Sequence, residues 1–395
     1  MLEWLIIGGG MHAVFHARGL IRKGYRPEDI RIVDPYPQLM QHWFAQCRRC
    51  GMQYMRSSSS HCLDTDFRHL RRYAAAHGYG KDHFLQPYSR PSLDLFQQYS
   101  KDCIRESQLE DIHLNALAHP PVRRDAESGV FRVHTAQATA GKQPSIRHLD
   151  TRRILFAVGR SDPGLPAWVT NLPEDRYWHV LNPARGMEIH EIPTGENIAV
   201  VGSGITGIST AIARAEQLIR EGNQPAVVHV LSETPPYSCL FDFDPGYVGP
   251  KYLTGYTGAA AAQRLLSLDQ SRNRGSVPNE LLQRFLELQK EGRIQLHETA
   301  VNSMAAVAGY DRVLFATGLP HTLPDIVKNT AELLKLPLTE PTAQGVPVTD
   351  ESCCWGEGIF VSGAAASFSI GPAAPNIIGA HLAFRRIHGM RTMRG

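Results

Sequence analysis

Two glycine-rich turns, each set between a buried strand and a helix, constrain this chain of 395 residues more than any other feature. The first reads Leu5-Ile6-Ile7-Gly8-Gly9-Gly10-Met11-His12-Ala13, and the following strand ends at Ile32-Val33-Asp34. Gly8 lets the chain turn sharply out of the strand. Gly10 keeps side-chain atoms away from a pyrophosphate, and Ala13 is small enough for the helix to lie close on the sheet. Phosphates then meet unpaired N–H groups and the positive end of the helix dipole. Asp34 stands about 20 residues further on, where a carboxylate grips ribose hydroxyls. A lone GxGxxG is a weak signal. Here the strand before, the helix after and the acid beyond agree on a dinucleotide grip.

The pattern recurs at Ile198-Ala199-Val200-Val201-Gly202-Ser203-Gly204-Ile205-Thr206-Gly207. A helix follows through Ala211, Ala215, Leu218 and Ile219, then a strand, Val227-Val228-His229-Val230-Leu231. Two complete fingerprints imply two dinucleotides or one duplicated architecture. Two short apolar strands also echo one another: Ile154-Leu155-Phe156-Ala157-Val158-Gly159 and Val313-Leu314-Phe315-Ala316-Thr317-Gly318.

Local rules place the remaining elements. The first helix stops at Arg22-Lys23-Gly24, as the dipole and C-cap rules require. Asp66 is predicted to cap a helix carrying Leu70, Tyr73 and Ala74 and ending at Gly78. Residues 79–91 read as loop, and Ser92 is predicted to cap a helix with Leu95, Phe96, Tyr99, Cys103 and Ile104 at helical spacing. Phe131-Arg132-Val133-His134-Thr135 alternates as a strand. The Pro- and Gly-rich residues 160–196 suggest a domain crossing. Gly358 to Gly363 is a final strand, and Gly371-Pro372-Ala373-Ala374-Pro375-Asn376 opens a helix running to about His388.

Composition narrows the class. A net charge of +3, with 20% charged residues, argues for neither nucleic acid nor a membrane surface. No apolar run approaches the ~18 residues needed to span a bilayer. Met1-Leu2-Glu3-Trp4 lacks a basic n-region, so a signal peptide is not expected. Seven cysteines, an odd number, do not make a secreted disulfide framework. The expectation is a cytoplasmic protein.

These residues resemble the two-dinucleotide-binding-domain flavoproteins. Within them the chain is similar to flavin-dependent monooxygenases, namely the N-hydroxylating ornithine and lysine hydroxylases and their flavin-containing relatives. The resemblance rests on both fingerprints, on Ala316-Thr317-Gly318, and on Phe360 to Ala380, which is similar to the family's flavin-covering strand, loop and helix. Gln41-His42-Trp43 resembles the family's Gly-Gly-Trp segment with neither glycine present.

The resemblance implies an α/β fold of two Rossmann-like three-layer domains. An FAD-binding domain would comprise residues 1–185 and 319–395, with an NAD(P)H-binding domain, 186–318, inserted. It implies FAD on the first fold and NADPH on the second, NADH remaining possible. With O2 as co-substrate, a flavin hydroperoxide would hydroxylate a small nucleophilic, amine-type molecule. Expected cofactor contacts are Gly8, Gly10, Ala13, Asp34 and Trp43 in the first fold. Gly202, Gly204, Gly207, Thr317 and Gly318 are expected in the second, and Gly363, Pro375, Asn376 and Ile377 in the last segment.

Other residues suggest chemistry beside the cofactors. N–H groups at the helix start near Asn376 could stabilise charge on a reduced flavin, although Pro and Asn also simply start helices. Arg56 and His61, with Gln53 and Ser57, could bind a substrate carboxylate or steer a proton; a His in a polar loop is more often just solvated. Glu233 would suit ribose hydroxyls, whereas Arg264, Arg272 or Arg274 could reach a 2′-phosphate. The stretch Phe241 to Tyr247 reads equally as a substrate lid or a docking loop. Cys47-Arg48-Arg49-Cys50, in a loop-like stretch, could be a redox pair whose thiols the arginines acidify, half a zinc site, or plain thiols. No metal site is expected. The rivals to a monooxygenase are therefore an NAD(P)H-dependent thiol or disulfide reductase using Cys47 and Cys50, and a non-catalytic flavin- or nucleotide-binding sensor. Substrate identity and oligomeric state are not legible.

Overall fold

The computed structural model describes residues 1–137, 145–169, 173, 175–182, 185–222, 226–320, 322–339 and 345–389. The last stretch of the expected FAD-binding domain, residues 390–395, lies outside the described residues. Trp4–Ile7 is a strand buried on both faces, as four consecutive apolar residues require. At Gly8 φ is +106°, and a Cβ there would stand 2.4 Å from the Ala157 carbonyl oxygen. Only glycine makes that turn.

Trp4–Ile7 sits inside a six-stranded sheet. Its order is Cys354–Gly356, Ile359–Val361, Ile154–Phe156, Trp4–Ile7, Ile30–Asp34 and His113–Asn115. All neighbours run parallel except the first pair, a hairpin. Alternation along the strands sends Trp4, Ile6, Ile30 and Ile32 to one core, shared with Val14 and Leu20 of the helix Met11–Arg22. Leu5, Ile7 and Val33 face another core, shared with Val122 and Phe131 of an antiparallel three-stranded sheet.

A second sheet repeats the design. Five parallel strands run in the order Tyr177–His179, Arg312–Phe315, Ile198–Val201, Val228–Ser232 and Ile294–Glu298. Ile198 and Val200 bury against Ile208 and Ala211 of the helix Ile205–Arg220 and Phe285 of Asn279–Lys290. Ala199 and Val201 face Val307 and Tyr310 on the other side. The mixed α/β class with parallel Rossmann-type sheets is thus observed. No helix of the described residues is long and apolar enough to cross a membrane.

Three local readings change. Residues 79–91 contain a 3-10 turn, Lys81–His83, and an antiparallel pair, Phe84–Leu85 with Arg90–Pro91. Tertiary contacts stabilise strands too short to announce themselves. Asp66 accepts the N–H of Arg68 at 2.8 Å, and the helix begins later, at His69. The Cys47–Cys50 stretch is not loop: Gln41–Arg49 is a helix whose polar surface hides only Phe44 and Cys47. The Ser92 cap is present, its side chain accepting the N–H of Leu95 at 3.3 Å.

Candidate active site

A cavity of about 1120 Å³ opens between the carboxyl end of the first parallel sheet and the helices Ile205–Arg220 and Asn279–Lys290 of the second fold. Ligands of open α/β sheets bind at such ends. Gly8, Gly9, Gly10 and Asp34 line it from the first sheet, and Ile205, Thr206 and Ser209 from the helix after the second fingerprint. Gly363, Pro375, Asn376 and Ile377 complete the wall.

The first fingerprint is built for a nucleotide. Asp34 accepts N–H bonds from Gly9 (2.6 Å) and Tyr36 (3.0 Å), which fixes the carboxylate at the cavity edge. Burial raises its pKa, and the two N–H bonds oppose that shift. No heavy atom lies within 4 Å of where a Gly10 Cβ would be, so the approach to the helix N-terminus is open. Ala13 is fully buried under the helix. Trp43, on the helix Gln41–Arg49, lines the cavity and packs edge-on to Phe44 and Phe96, at 4.9 and 5.8 Å. An open glycine turn, a fixed acid and an aromatic wall fit FAD.

The second fingerprint differs. Gly202, Gly204 and Gly207 are not among the residues lining the cavity. A Cβ on Gly204 would stand 3.3 Å from the Gly275 Cα, so the segment around Gly275 packs over the turn. Gly207 lies beneath the turn, its missing Cβ replaced by the Gly202 carbonyl. Thr317 and Gly318 also stay off the cavity wall; Thr317 Oγ1 lies 3.3 Å from His179 Nε2.

Asn376 stands at the start of the helix Ile377–His388, and its Nδ2 donates to Asp242 at 2.7 Å. Asp242 pairs with Arg56 at 2.5 Å. Arg56 also donates to the carbonyls of Leu240 (2.6 Å) and Cys239 (2.7 Å) and to Ser276 Oγ (2.7 Å). Arg56 and Asn376 are therefore brought together on the cavity wall, but through an acid that sequence reading did not place there. The guanidinium is occupied by this fixed carboxylate rather than presented as a free fork. Phe243 is buried against Ala373 and Ile378, so Phe241 to Tyr247 docks on the last segment.

A model of the FAD-NAD(P)-binding family matches residues 5–159. The model described as L-lysine 6-monooxygenase/L-ornithine 5-monooxygenase matches residues 84–306, more than half of the chain. The chain belongs to the lysine/ornithine monooxygenase family. No curated protein matches it. Among solved structures, the FAD-bound cadaverine monooxygenase of Erwinia amylovora superposes with a TM-score of 0.74 at 14% identity, covering 98% of this chain and 95% of that one. The ornithine N-hydroxylase of Kutzneria sp. 744, with reduced FAD, NADP+ and L-ornithine, gives 0.72 at 15%, covering 98% of each. The bacillithiol disulfide reductase of Bacillus cereus gives 0.59 at 16%, covering 98% and 97%. At such identities the likeness is one of fold. The family match decides for a monooxygenase over a disulfide reductase.

The cysteines of this monooxygenase agree. Cys47 and Cys50 line the cavity as free thiols. Burial pushes Cys50 up to about 11 and Cys47 well above its ordinary value. Acidification by the flanking arginines does not win: Arg48 lowers the Cys47 value, but burial outweighs it, and Arg49 donates instead to the carbonyls of Asn182 and Gly186. Among the described residues no cluster could hold a metal.

His61 is not brought to Arg56 and Asn376. It lies off the cavity wall, and burial pushes its pKa down to about 4, so it is not a solvated loop histidine either. Two residues of this monooxygenase escaped sequence reading. Arg90, 1% exposed, lines the cavity and donates to Glu280 at 2.7 Å, joining the short hairpin to the helix Asn279–Lys290. His12 lines the cavity from inside the first fingerprint. It stands in the first turn of the helix Met11–Arg22.

Proposed function

We propose that this chain uses NADPH and O2 to hydroxylate the nitrogen of a small amine on a bound FAD. The observation that carries the reading is the cavity lined by the carboxyl end of the first sheet and by helices of the second fold, where two dinucleotides could be brought close enough for hydride transfer. Residues 1–185 and 319–395 form the FAD-binding part and residues 186–318 the NAD(P)H-binding part, save that the strand Tyr177–His179 lies in the second sheet and goes with the NAD(P)H-binding part. Gly8, Gly10, Ala13 and Asp34 hold the adenine nucleotide of FAD. Trp43, Gly363, Pro375, Asn376 and Ile377 hold its flavin. Gly202, Gly204 and Gly207, with Thr317 and Gly318, hold the nicotinamide cofactor. The NADP+ in the Kutzneria enzyme supports NADPH over NADH.

When bound, FAD supplies hydride acceptance and oxygen activation. The protein's part is to orient and to exclude water. The Asn376 amide, held by Asp242, fixes a helix start whose N–H groups would stabilise charge on a bound, reduced flavin. Arg56 clamps Asp242 and closes the wall beside the substrate. The high-pKa thiols of Cys47 and Cys50 serve as apolar lining. Free cysteines throughout the described chain suit the cytoplasm, which is the proposed location.

The test is a yellow purified protein assayed for amine-dependent NADPH oxidation, with ornithine, lysine and cadaverine as first candidates. Hydroxylamine product is expected. NADPH oxidation that persists without oxygen, reduces a disulfide and is lost in Cys47→Ser would instead establish the reductase.

A further inference from the structure

One branch of the cavity leads away from the wall of Arg56, Asp242 and Asn376. Every residue from Cys50 to Ser57 lines the cavity, so this stretch runs without a break from the end of the helix Gln41–Arg49 to that wall. Gly51, at φ +67°, lets the stretch lie directly on Ala213, since a Cβ there would stand 2.3 Å from the Ala213 Cβ. Ala213 belongs to Ile205–Arg220, and the cavity follows this helix outward past Ile205, Ser209, Ile212, Ala213 and Glu216. These positions recur at helical spacing and form one stripe. At 1.5 Å of rise per residue the stripe is roughly 16 Å long. The facing walls are Cys47 on Gln41–Arg49, and Leu281 and Arg284 on one face of Asn279–Lys290.

The branch is apolar where it is open and self-paired where it is charged. Cys47, Cys50, Met52, Ile212, Ala213 and Leu281 line it, and burial keeps both thiols neutral. At the outer end Arg284 donates from Nε to Glu216 at 2.9 Å, and Arg90 holds Glu280 at 2.7 Å. Gln46 gives its amide to the Leu181 carbonyl at 2.7 Å. A phosphate, a carboxylate or a second ammonium entering here would lose water and have to displace one of these partners. A hydrocarbon chain displaces none of them and gains burial.

We propose that this branch takes the apolar tail of the amine substrate, so that the preferred class is a primary amine on an unbranched hydrocarbon chain rather than an amino acid. The nitrogen lies at the wall of Arg56, Asp242 and Asn376, and the tail runs between the three helices toward Glu216 and Arg284. This assignment rests on the amine chemistry proposed above and adds the substrate class to it.

Calorimetric titration of the full-length, FAD-loaded protein without NADPH, with straight-chain amines from propylamine to octylamine, reads the tail site apart from the reaction. Each added methylene is expected to tighten Kd by about three- to fourfold, the worth of one buried CH2. Lysine should bind more weakly than pentylamine, which is lysine without its α-ammonium and carboxylate. Leu281→Phe narrows the branch from one helix and Ser209→Leu from another. In each, the gain per methylene should stop at shorter chains while the melting temperature is retained. Affinity that stays flat along the series overturns the proposal, as does lysine binding more tightly than pentylamine. An undiminished gain in both variants also overturns it, because the tail would then lie elsewhere. Should Leu281→Phe fail to fold, Ser209→Leu decides alone. Binding that follows chain length, with no amine hydroxylated once NADPH and oxygen are supplied, would overturn the oxygenation reading and leave the tail site in place.

Discussion

The two glycine fingerprints share a pattern, yet their surroundings differ. At the first, Gly10 faces open space, and Asp34 is fixed at the cavity edge by the N–H groups of Gly9 and Tyr36. At the second, Gly204 lies against Gly275, and the corresponding strand ends in Ser232, whose hydroxyl donates to Ser203 Oγ at 2.9 Å. The motif therefore specifies a strand-to-helix turn and nothing more. Whether that turn offers a phosphate site depends on what packs over it, and those contacts come from residues far away in sequence.

Substitutions at the turns break the comparison most severely. Gly8→Val meets the Ala157 carbonyl and a φ of +106°, and should yield little soluble protein or protein without flavin absorbance. Gly204→Ala meets Gly275 only at 3.3 Å. It should leave flavin content intact and raise the KM for NADPH severalfold. Equal flavin loss in both would show the two turns to be equivalent.

The wall between the domains comes next. Asp242→Ala leaves Arg56 without its carboxylate and Asn376 without its acceptor, at a cost of about 1–3 kcal/mol. Thermal denaturation of the holoprotein should report it, and a Tm unchanged within a degree would remove Asp242 from the account. Asp34→Ala should weaken FAD by about tenfold while the NADPH KM moves little, since one ribose contact is worth roughly 1.4 kcal/mol. The smallest effect is expected from Cys47→Ser, with NADPH oxidation within about twofold of the parent. Because both thiols are held protonated, iodoacetamide at pH 8 should label Cys47 and Cys50 more slowly than a free thiol. Fast labelling would reopen the reductase reading.

The fold was legible where local rules operate. Apolar runs such as Trp4–Ile7 and Ile198–Val201 could only be buried parallel strands, and the Ser92 cap follows from a single side chain. Legibility fell where burial is supplied from elsewhere. The helix Gln41–Arg49 is mostly polar, and its place depends on Phe44 and Cys47 reaching a core formed by other elements. Arg56 was readable as a cavity residue, but its partner Asp242 stands well beyond it in sequence, in a segment that read equally as a lid or a docking loop and did not announce which residue it would meet. The packing that half-buries His61 was not legible either, because the polar sequence around it gave no sign of it. His12 sits at a variable position of the fingerprint, where the motif constrains only size, so the pattern itself gave no reason to weigh it.

Oxygen consumption by the purified holoprotein, followed together with NADPH oxidation as candidate amines are added, tests the shared cavity most directly. The account expects oxygen uptake that tracks NADPH and rises with the right amine, with hydroxylated amine accumulating. A flavin-loaded protein that oxidises NADPH at the same rate with oxygen removed and a disulfide supplied would contradict it.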